Sequence, residues 1–272
     1  METQHADIWF TAEISAPQDV VDACLGFHAR SSLSLRSLLD DPGGDSAEWK
    51  ALLAQIEFAD CEFILNGAST ELKIEGHGAT GALSRKGSCR NFERLAIGRA
   101  SFDRLIASAF LARDAQGHRN YPSAGGLYPV EIVLLPLNAG ITGVPGGAYH
   151  VLPRSRSLEK IADGTQAARC ATFLLSSAGK IGSPSLVIIY LAHLARSIVK
   201  YKYRGYRHAV IEVGCALQQA DLVATATGLA TLPYSRFSEL GLCKYLALNP
   251  LVLLPLCVQF VGVRLNEKQE LV

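Results

Sequence analysis

Charge is scarce in this chain. Asp, Glu, Lys and Arg make up 19% of its 272 residues, apolar residues 49%, and the net charge is +1. So small a basic excess argues against general nucleic-acid binding, because a phosphate reader carries a strongly cationic face. No apolar run approaches the length of a bilayer-spanning helix, which argues against membrane insertion. The seven cysteines are odd in number and form neither a CxxC pair nor a Cys/His zinc spacing. Free thiols in a reducing compartment, with no metal site, are therefore expected. The opening Met1-Glu2-Thr3-Gln4-His5-Ala6-Asp7 is polar and acidic and lacks the apolar core of a signal peptide. A cytoplasmic location is the reading. Walker and dinucleotide glycine spacings are also missing.

What is present is a large apolar complement, enough for one sizeable domain and an obligate subunit interface. Helices are expected at Pro17–Arg30 (capped by Ser15), Ser46–Phe58, Ser101–Arg113, Ser157–Ile161, Ala167–Leu175 and Ser238–Leu246. Strands are expected at Glu62–Leu65, Glu71–Ile74, Val130–Leu135, Gly147–Leu152, Ser185–Ala192 and Leu251–Val263, the last interrupted at Pro255. Thr231–Phe237 reads as a loop. A helix near Arg207–Thr227 is apolar nearly all round, as for a helix buried at the centre of a dimer. Helices and strands mix without βαβ alternation, which makes the fold α+β. Residues 1–80 hold no catalytic constellation and read as an extension that could dock a partner; residues 81–272 form the main domain.

Three stretches carry chemistry. In Lys86-Gly87-Ser88-Cys89-Arg90-Asn91-Phe92, two cations bracket a hydroxyl, the donor set that a phosphate monoester needs. An ordinary polar loop would read the same way. Pro122-Ser123-Ala124-Gly125-Gly126-Leu127-Tyr128-Pro129 runs into a core strand. Its small residues let backbone approach a flat ligand, and its prolines stiffen it. Lys200-Tyr201-Lys202-Tyr203-Arg204-Gly205-Tyr206-Arg207 packs four cations and three phenols between a core strand and a core helix. Alone, it reads equally as a solvated basic strip or as an active-site wall offering a Lys or Tyr base.

The order of these motifs resembles the flavin-dependent nitroreductase superfamily, and within it the SagB-type azoline dehydrogenases of microcin-type thiazole/oxazole synthetases. The likeness covers about residues 84–263, with Phe27-His28-Ala29-Arg30 as a further short match. The family's Arg-Arg-Ser-x-Arg-x-Phe phosphate motif is matched by Lys86, Ser88, Arg90 and Phe92, with Gly87 in place of the second Arg. Its Pro-Ser-Ala-Gly-x-x-Tyr-Pro loop is matched almost without change by Pro122–Pro129. A later Gly-Leu…Pro segment is matched by Gly228-Leu229 and Pro233-Tyr234-Ser235-Arg236, and the subfamily's Lys-Tyr pair by Lys200-Tyr201.

The resemblance implies a nitroreductase-like homodimer, a mixed sheet flanked by helices around a long buried helix, with FMN at the subunit interface. It implies FMN contacts from Lys86, Ser88, Arg90, Pro122, Ser123, Ala124, Gly125, Gly126, Ser235 and Arg236. The implied catalytic residues are Lys200 and Tyr201. The implied activity is oxidation of thiazoline or oxazoline rings to azoles on a ribosomally made precursor peptide, beside a cyclodehydratase and a zinc-bearing scaffold subunit. Two other readings stay open: a general quinone or nitroaromatic reductase using a nicotinamide cofactor, and an idle flavin-fold assembly subunit.

Overall fold

A computed structural model describes residues 15–34, 85, 87–137, 140–179 and 181–265, with single positions at 47 and 51. Apart from the helical positions 47 and 51, the helix expected at Ser46–Phe58 lies outside the described residues, as do the two strands at Glu62–Leu65 and Glu71–Ile74 and Lys86.

In chain order the elements are α1 (Gln18–Ser31), α2 (Arg99–Phe110), β1 (Val130–Pro136), β2 (Ala148–Leu152), β3 (Ser157–Ala162), α3 (Gly164–Ser177), β4 (Leu186–His193), α4 (Ala195–Tyr201), α5 (Arg204–Ala226), β5 (Ala230–Tyr234), α6 (Glu239–Leu246) and β6 (Leu253–Gly262). The six strands form one sheet in the order β3-β2-β1-β4-β6-β5. Each neighbouring pair is antiparallel, so the mixed sheet expected from the resemblance is, among the described strands, antiparallel throughout.

β4 explains the rest of the packing. All eight of its residues are buried. Leu186, Ile188 and Tyr190 join the core under α2 and α5, whereas Val187, Ile189 and Leu191 join the core on the opposite face, under α3 and α6. Covered on both faces, the strand has no polar side to show, and its sequence is a continuous apolar run. A third, smaller cluster packs Val20 and Cys24 of α1 against Ile198 of α4 and Ala209 of α5.

The structure corrects four local expectations. Ser157–Ile161 is the strand β3, not a helix: Leu-Glu-Lys-Ile favours helix locally, but pairing with β2 overrides it. Thr231–Tyr234 is strand, not loop, and Pro233 is tolerated because β5 is an edge strand. β6 is not broken at Pro255. The register slips there, Tyr190 pairing with Cys257 and Leu191 with Pro255, so Leu256 is the extra residue of a bulge beside the proline. Ser15 does not cap α1, whose N-cap position is Pro17.

α5 is 23 residues long, about 34 Å. Within one chain it buries a single face, through Ala209, Val213, Ala216, Ala220 and Ala224; Val210 and Ile211 point outward, 45% and 62% exposed. It starts where α4 stops. Lys202 takes a left-handed conformation (φ 50) at the corner. Gly205 lets the two backbones touch, since a Cβ there would stand 2.8 Å from Ile198 N and from the Ser197 carbonyl carbon.

Gly205→Ala is therefore expected to destabilise the fold by about 1–3 kcal/mol through overpacking. Helix propensity alone would give a gain of up to ~1 kcal/mol. Urea unfolding decides: a more stable variant would mean that the two helices are free to part.

Candidate functional site

The α4–α5 corner delivers Lys200 and Tyr201 to the tight turn at Ala124–Gly126. The approach is so close that a Cβ on Gly125 would lie 2.5 Å from Tyr201 Oη and 2.8 Å from Lys200 Nζ. Gly125 also has φ 62, a left-handed conformation that suits glycine. The Lys200 ammonium stands 5.2 Å from the centre of the Tyr201 ring, within cation–π range. His208, one residue past the basic-phenolic stretch, packs its ring edge-on against Tyr201 at 4.7 Å. The sequence reading missed it; only its position seven residues after Tyr201, across a corner not foreseen, would have pointed to it.

The loop itself is held by its own atoms. Tyr128 N donates to Ser123 Oγ (2.8 Å), and Gly126 N to Ser123 O (3.1 Å). Pro122, Gly125 and Gly126 are exposed and Ser123 and Ala124 half-buried, so the turn presents nearly bare backbone at the surface. Arg196 Nη1 donates to Tyr128 O (2.8 Å), tying the far end of the loop to α4.

The remaining residues of the stretch do other work. Tyr203 donates to Asp19 (3.1 Å), and Tyr206 packs edge-on against Phe27 (5.5 Å) with its hydroxyl 3.4 Å from His28 Nδ1. Both phenols fasten α1. Lys202, Arg204 and Arg207 are exposed.

Behind the loop lies a buried charge network whose members are scattered along the chain and follow no sequence motif. Glu131, on β1, receives Arg196 Nη1 (2.6 Å) and faces His150 Nε2 (3.0 Å). Burial pushes its carboxyl up, but His150, Arg196 and Arg119 together hold it below the ordinary value. Burial works against the His150 charge, yet carboxylates on both ring nitrogens, Glu131 and Glu159, raise its pKa. Arg119, 7% exposed, donates to Tyr121 Oη (2.6 Å) and to Val130 O (3.1 Å) and lies over the Tyr128 ring (4.6 Å). Glu212, on α5, is 2% exposed. Burial pushes its pKa up to about 7, against the opposing pull of Ser123, the Val130 amide, Arg119 and Arg196.

A second cluster forms beside β5. Cys89 N donates to Thr231 O and Gly182 N to Arg90 O, both 2.8 Å, which pins the 87–91 segment along the sheet edge. Arg85, absent from the expected set, places Nη2 3.0 Å from Ser88 Oγ. Its Nε is held 3.1 Å from Asp221, a carboxylate only 3% exposed that also accepts from Thr231 Oγ1. Gly87, where the motif has a second cation, is exposed with φ 80. Arg85 thus supplies a guanidinium to the motif serine. Arg90 and Arg236 both approach Tyr234: burial raises that phenol's pKa, and the two cations oppose it. Ser235 is exposed beside them.

The expected site residues therefore fall into two groups, Pro122–Gly126 with Lys200 and Tyr201, and Ser88 and Arg90 with Arg236. Their anchors on α5, Glu212 and Asp221, are nine residues or ~13 Å apart. The donor set of the second group fits a phosphate monoester, and the bare glycine turn of the first fits the face of a planar ring.

The model of the Nitroreductase family matches residues 83–263. The chain belongs to the nitroreductase family. It is 32% identical over 165 residues to the microcin B17-processing protein McbC of Escherichia coli, 60% of this chain and 61% of that protein. It thus spans about six-tenths of that relative's length. It is also 28% identical over 187 residues to a protein of Methanocaldococcus jannaschii named as a nitroreductase, covering 68% of this chain and 90% of that one. Among solved structures, a chain of the E. coli microcin synthetase McbBCD complex with truncated pro-MccB17 bound matches with a TM-score of 0.80 at 26% identity. That match covers 94% of this chain and 97% of the other. A nitroreductase-named structure from Ralstonia eutropha, 18% identical, shares the fold with a TM-score of 0.59 over 73% of this chain and 89% of its own.

Glu212 makes stability depend on pH. Its folded pKa of about 7 lies above the ordinary 4.5, so the folded chain binds more protons than the unfolded one between those values. Stability conferred by the protonated group is complete below pH 4.5 and is lost as pH rises through 7, a fall of about 3 kcal/mol. Urea unfolding at pH 5 to 8 should show this fall in the wild type and a much flatter profile in Glu212→Gln. The remaining slope is shared by His150 and Glu239, whose raised pKa values give the same sign, and by His28, whose lowered value gives the opposite one. Equal profiles would contradict the assignment.

Proposed function

We propose that this protein is an FMN-dependent dehydrogenase that oxidises thiazoline or oxazoline rings to thiazoles or oxazoles on a ribosomally made precursor peptide. It would act in the cytoplasm as one subunit of a heterocycle synthetase, beside a cyclodehydratase and a zinc-bearing scaffold subunit. The observation that carries the reading is the contact of Lys200 and Tyr201 with Gly125, which places two candidate bases against the backbone turn expected to lie along the flavin ring. The near full-length likeness to one chain of a microcin synthetase complex supports the same assignment.

FMN suits both residue groups. Ser88, Arg90, Arg236 and the unforeseen Arg85 would hold the phosphate, with Ser235 beside them and Lys86 completing the expected set. Pro122, Ser123, Ala124, Gly125 and Gly126 would face the ring system. When bound, FMN supplies a two-electron acceptor for hydride.

Aromatising an azoline removes a proton from Cα and a hydride from the neighbouring ring carbon. The chain's task is to take that proton and to align the two carbons. Lys200 or Tyr201 takes the proton. The arrangement favoured is Lys200 as base with Tyr201 positioning it: the phenol and the ammonium meet at one glycine, and His208 packs edge-on against the phenol ring. The expected homodimer would cover the outward-facing Val210 and Ile211 of α5. The extension would meet partner subunits, with α1 fastened to the corner through Tyr203 and Tyr206.

Lys200→Ala should give a yellow, FMN-loaded protein that leaves peptides at the azoline stage, two hydrogens per ring heavier than the azole by mass spectrometry. Normal azole formation would remove Lys200 from the role of base. Arg85→Ala, and separately Ser88→Ala with Arg90→Ala, should each weaken FMN binding at least tenfold, as expected for loss of charge-assisted phosphate contacts. Fluorescence titration with FMN reads this directly. Unchanged affinity in both would place the phosphate elsewhere.

A further inference from the structure

Ser123 links the glycine turn to the buried network, and the number of protons available fixes how. A serine hydroxyl has one proton to give and lone pairs to receive. Ser123 Oγ already receives the Tyr128 amide at 2.8 Å. Its own proton is left for an acceptor, and the acceptor beside it is the Glu212 carboxyl, whose charged form it stabilises. Glu212 Oε1 also faces the first amide of β1, Val130 N, at 3.3 Å. Its Oε2 is buried and meets no donor in bonding geometry. A carboxyl group 2% exposed, bonded to the strand that leaves the loop, set beside Ser123 at the loop's start and belonging to no step of the proposed chemistry, is not explained by packing. A glutamine or a leucine would fill the same space without the penalty of a buried charge.

We propose that Glu212 is a positioning residue for the Pro122–Pro129 loop, with the ionised carboxylate as the form that holds Ser123 and the start of β1 and so keeps the glycine turn against Lys200 and Tyr201. The inference rests on the flavin reading only where it speaks of affinity for FMN. An ionised acceptor makes a markedly stronger hydrogen bond than a neutral one. Protonation of Glu212 therefore loosens Ser123, and with it the Tyr128 amide and the turn between them. Because burial places this titration near neutrality, the loop should tighten as pH rises from 6 to 8. That is the pH range in which the folded protein loses stability to the same charge, so one carboxylate trades global stability for local order. The other charged and titratable groups facing this position are Arg119 and Tyr121 before the loop and Arg196 on α4. Beyond them lie Glu131 on β1 and His150 on β2, with His208 one turn earlier on α5 itself.

The test is amide hydrogen exchange of the loop in the full-length protein without added flavin, corrected for intrinsic rates, at pH 6 and pH 8. In the wild type the Tyr128 amide should exchange roughly three- to tenfold faster at pH 6 than at pH 8. In Glu212→Gln it should be fast at both. Ser123→Ala removes the link while leaving the buried carboxyl in place. It should abolish the pH response in the same way, and it keeps the test open if the glutamine variant folds poorly. A pH response that persists in both variants would assign it to His150 and overturn the proposal, as would wild-type exchange that is independent of pH. FMN titrated at the same two pH values separates the two ideas. A loop that responds through Glu212 while FMN affinity stays flat upholds the positioning role and removes the loop from the flavin site.

Discussion

The candidate site depends on two places where a missing Cβ lets main chain be approached closely. At Gly205 the backbone of α5 rests on the backbone of α4, and at Gly125 the loop backbone rests on the ends of Lys200 and Tyr201. The first contact fixes the sharp corner after β4; the second uses that corner to set two titratable side chains on a bare turn. A methyl group at either position would occupy space already filled. Everything proposed about proton removal follows from this geometry, because a base works only within bonding reach of the proton it takes.

The surroundings make that geometry rigid. β4 is clamped between two cores, so the point from which α4 departs is set by the most deeply buried strand of the sheet. The loop's far end is tied to two elements at once: Tyr128 O to Arg196 on α4, and Val130 N to Glu212 on α5. Glu131, His150 and Arg196 then form a paired chain of charges in which each partner stabilises the other's ionised form. Such a network is costly to bury unless its members are matched, and here the matched members brace the one loop that the family likeness assigns to the cofactor.

Much of this was legible in the sequence, for identifiable reasons. β1 and β4 announce themselves because burial leaves long apolar runs, and α5 does so through its length and scarcity of charge, although within one chain it buries only one face. The Pro122–Pro129 motif is legible because a surface turn needs particular residues rather than a general pattern. Edge strands were not: β3 is written in helix-forming residues and β5 contains a proline, and only pairing partners distant in sequence decide them. The α4 helix was hidden for a related reason, since its seven residues are too few to show a period. In the site, Lys200, Tyr201 and the glycines could be named from sequence. Arg85, Glu212 and His208 could not, because each acquires its role from a neighbour at another place in the chain: Asp221, Ser123 and Tyr201. The six cysteines among the described residues are free, and burial pushes Cys170 and Cys243 up to about 12 and 11, consistent with packing rather than redox use.

The claim most in need of direct measurement is that an azoline ring is the electron donor. The purified wild-type protein, loaded with FMN and kept free of oxygen, should be mixed with a cyclised but unoxidised peptide, and flavin absorbance followed alongside peptide mass. The account predicts stoichiometric bleaching of the flavin together with loss of two hydrogen atoms per ring. A flavin that ignores the azoline peptide yet bleaches rapidly with NADPH would contradict it.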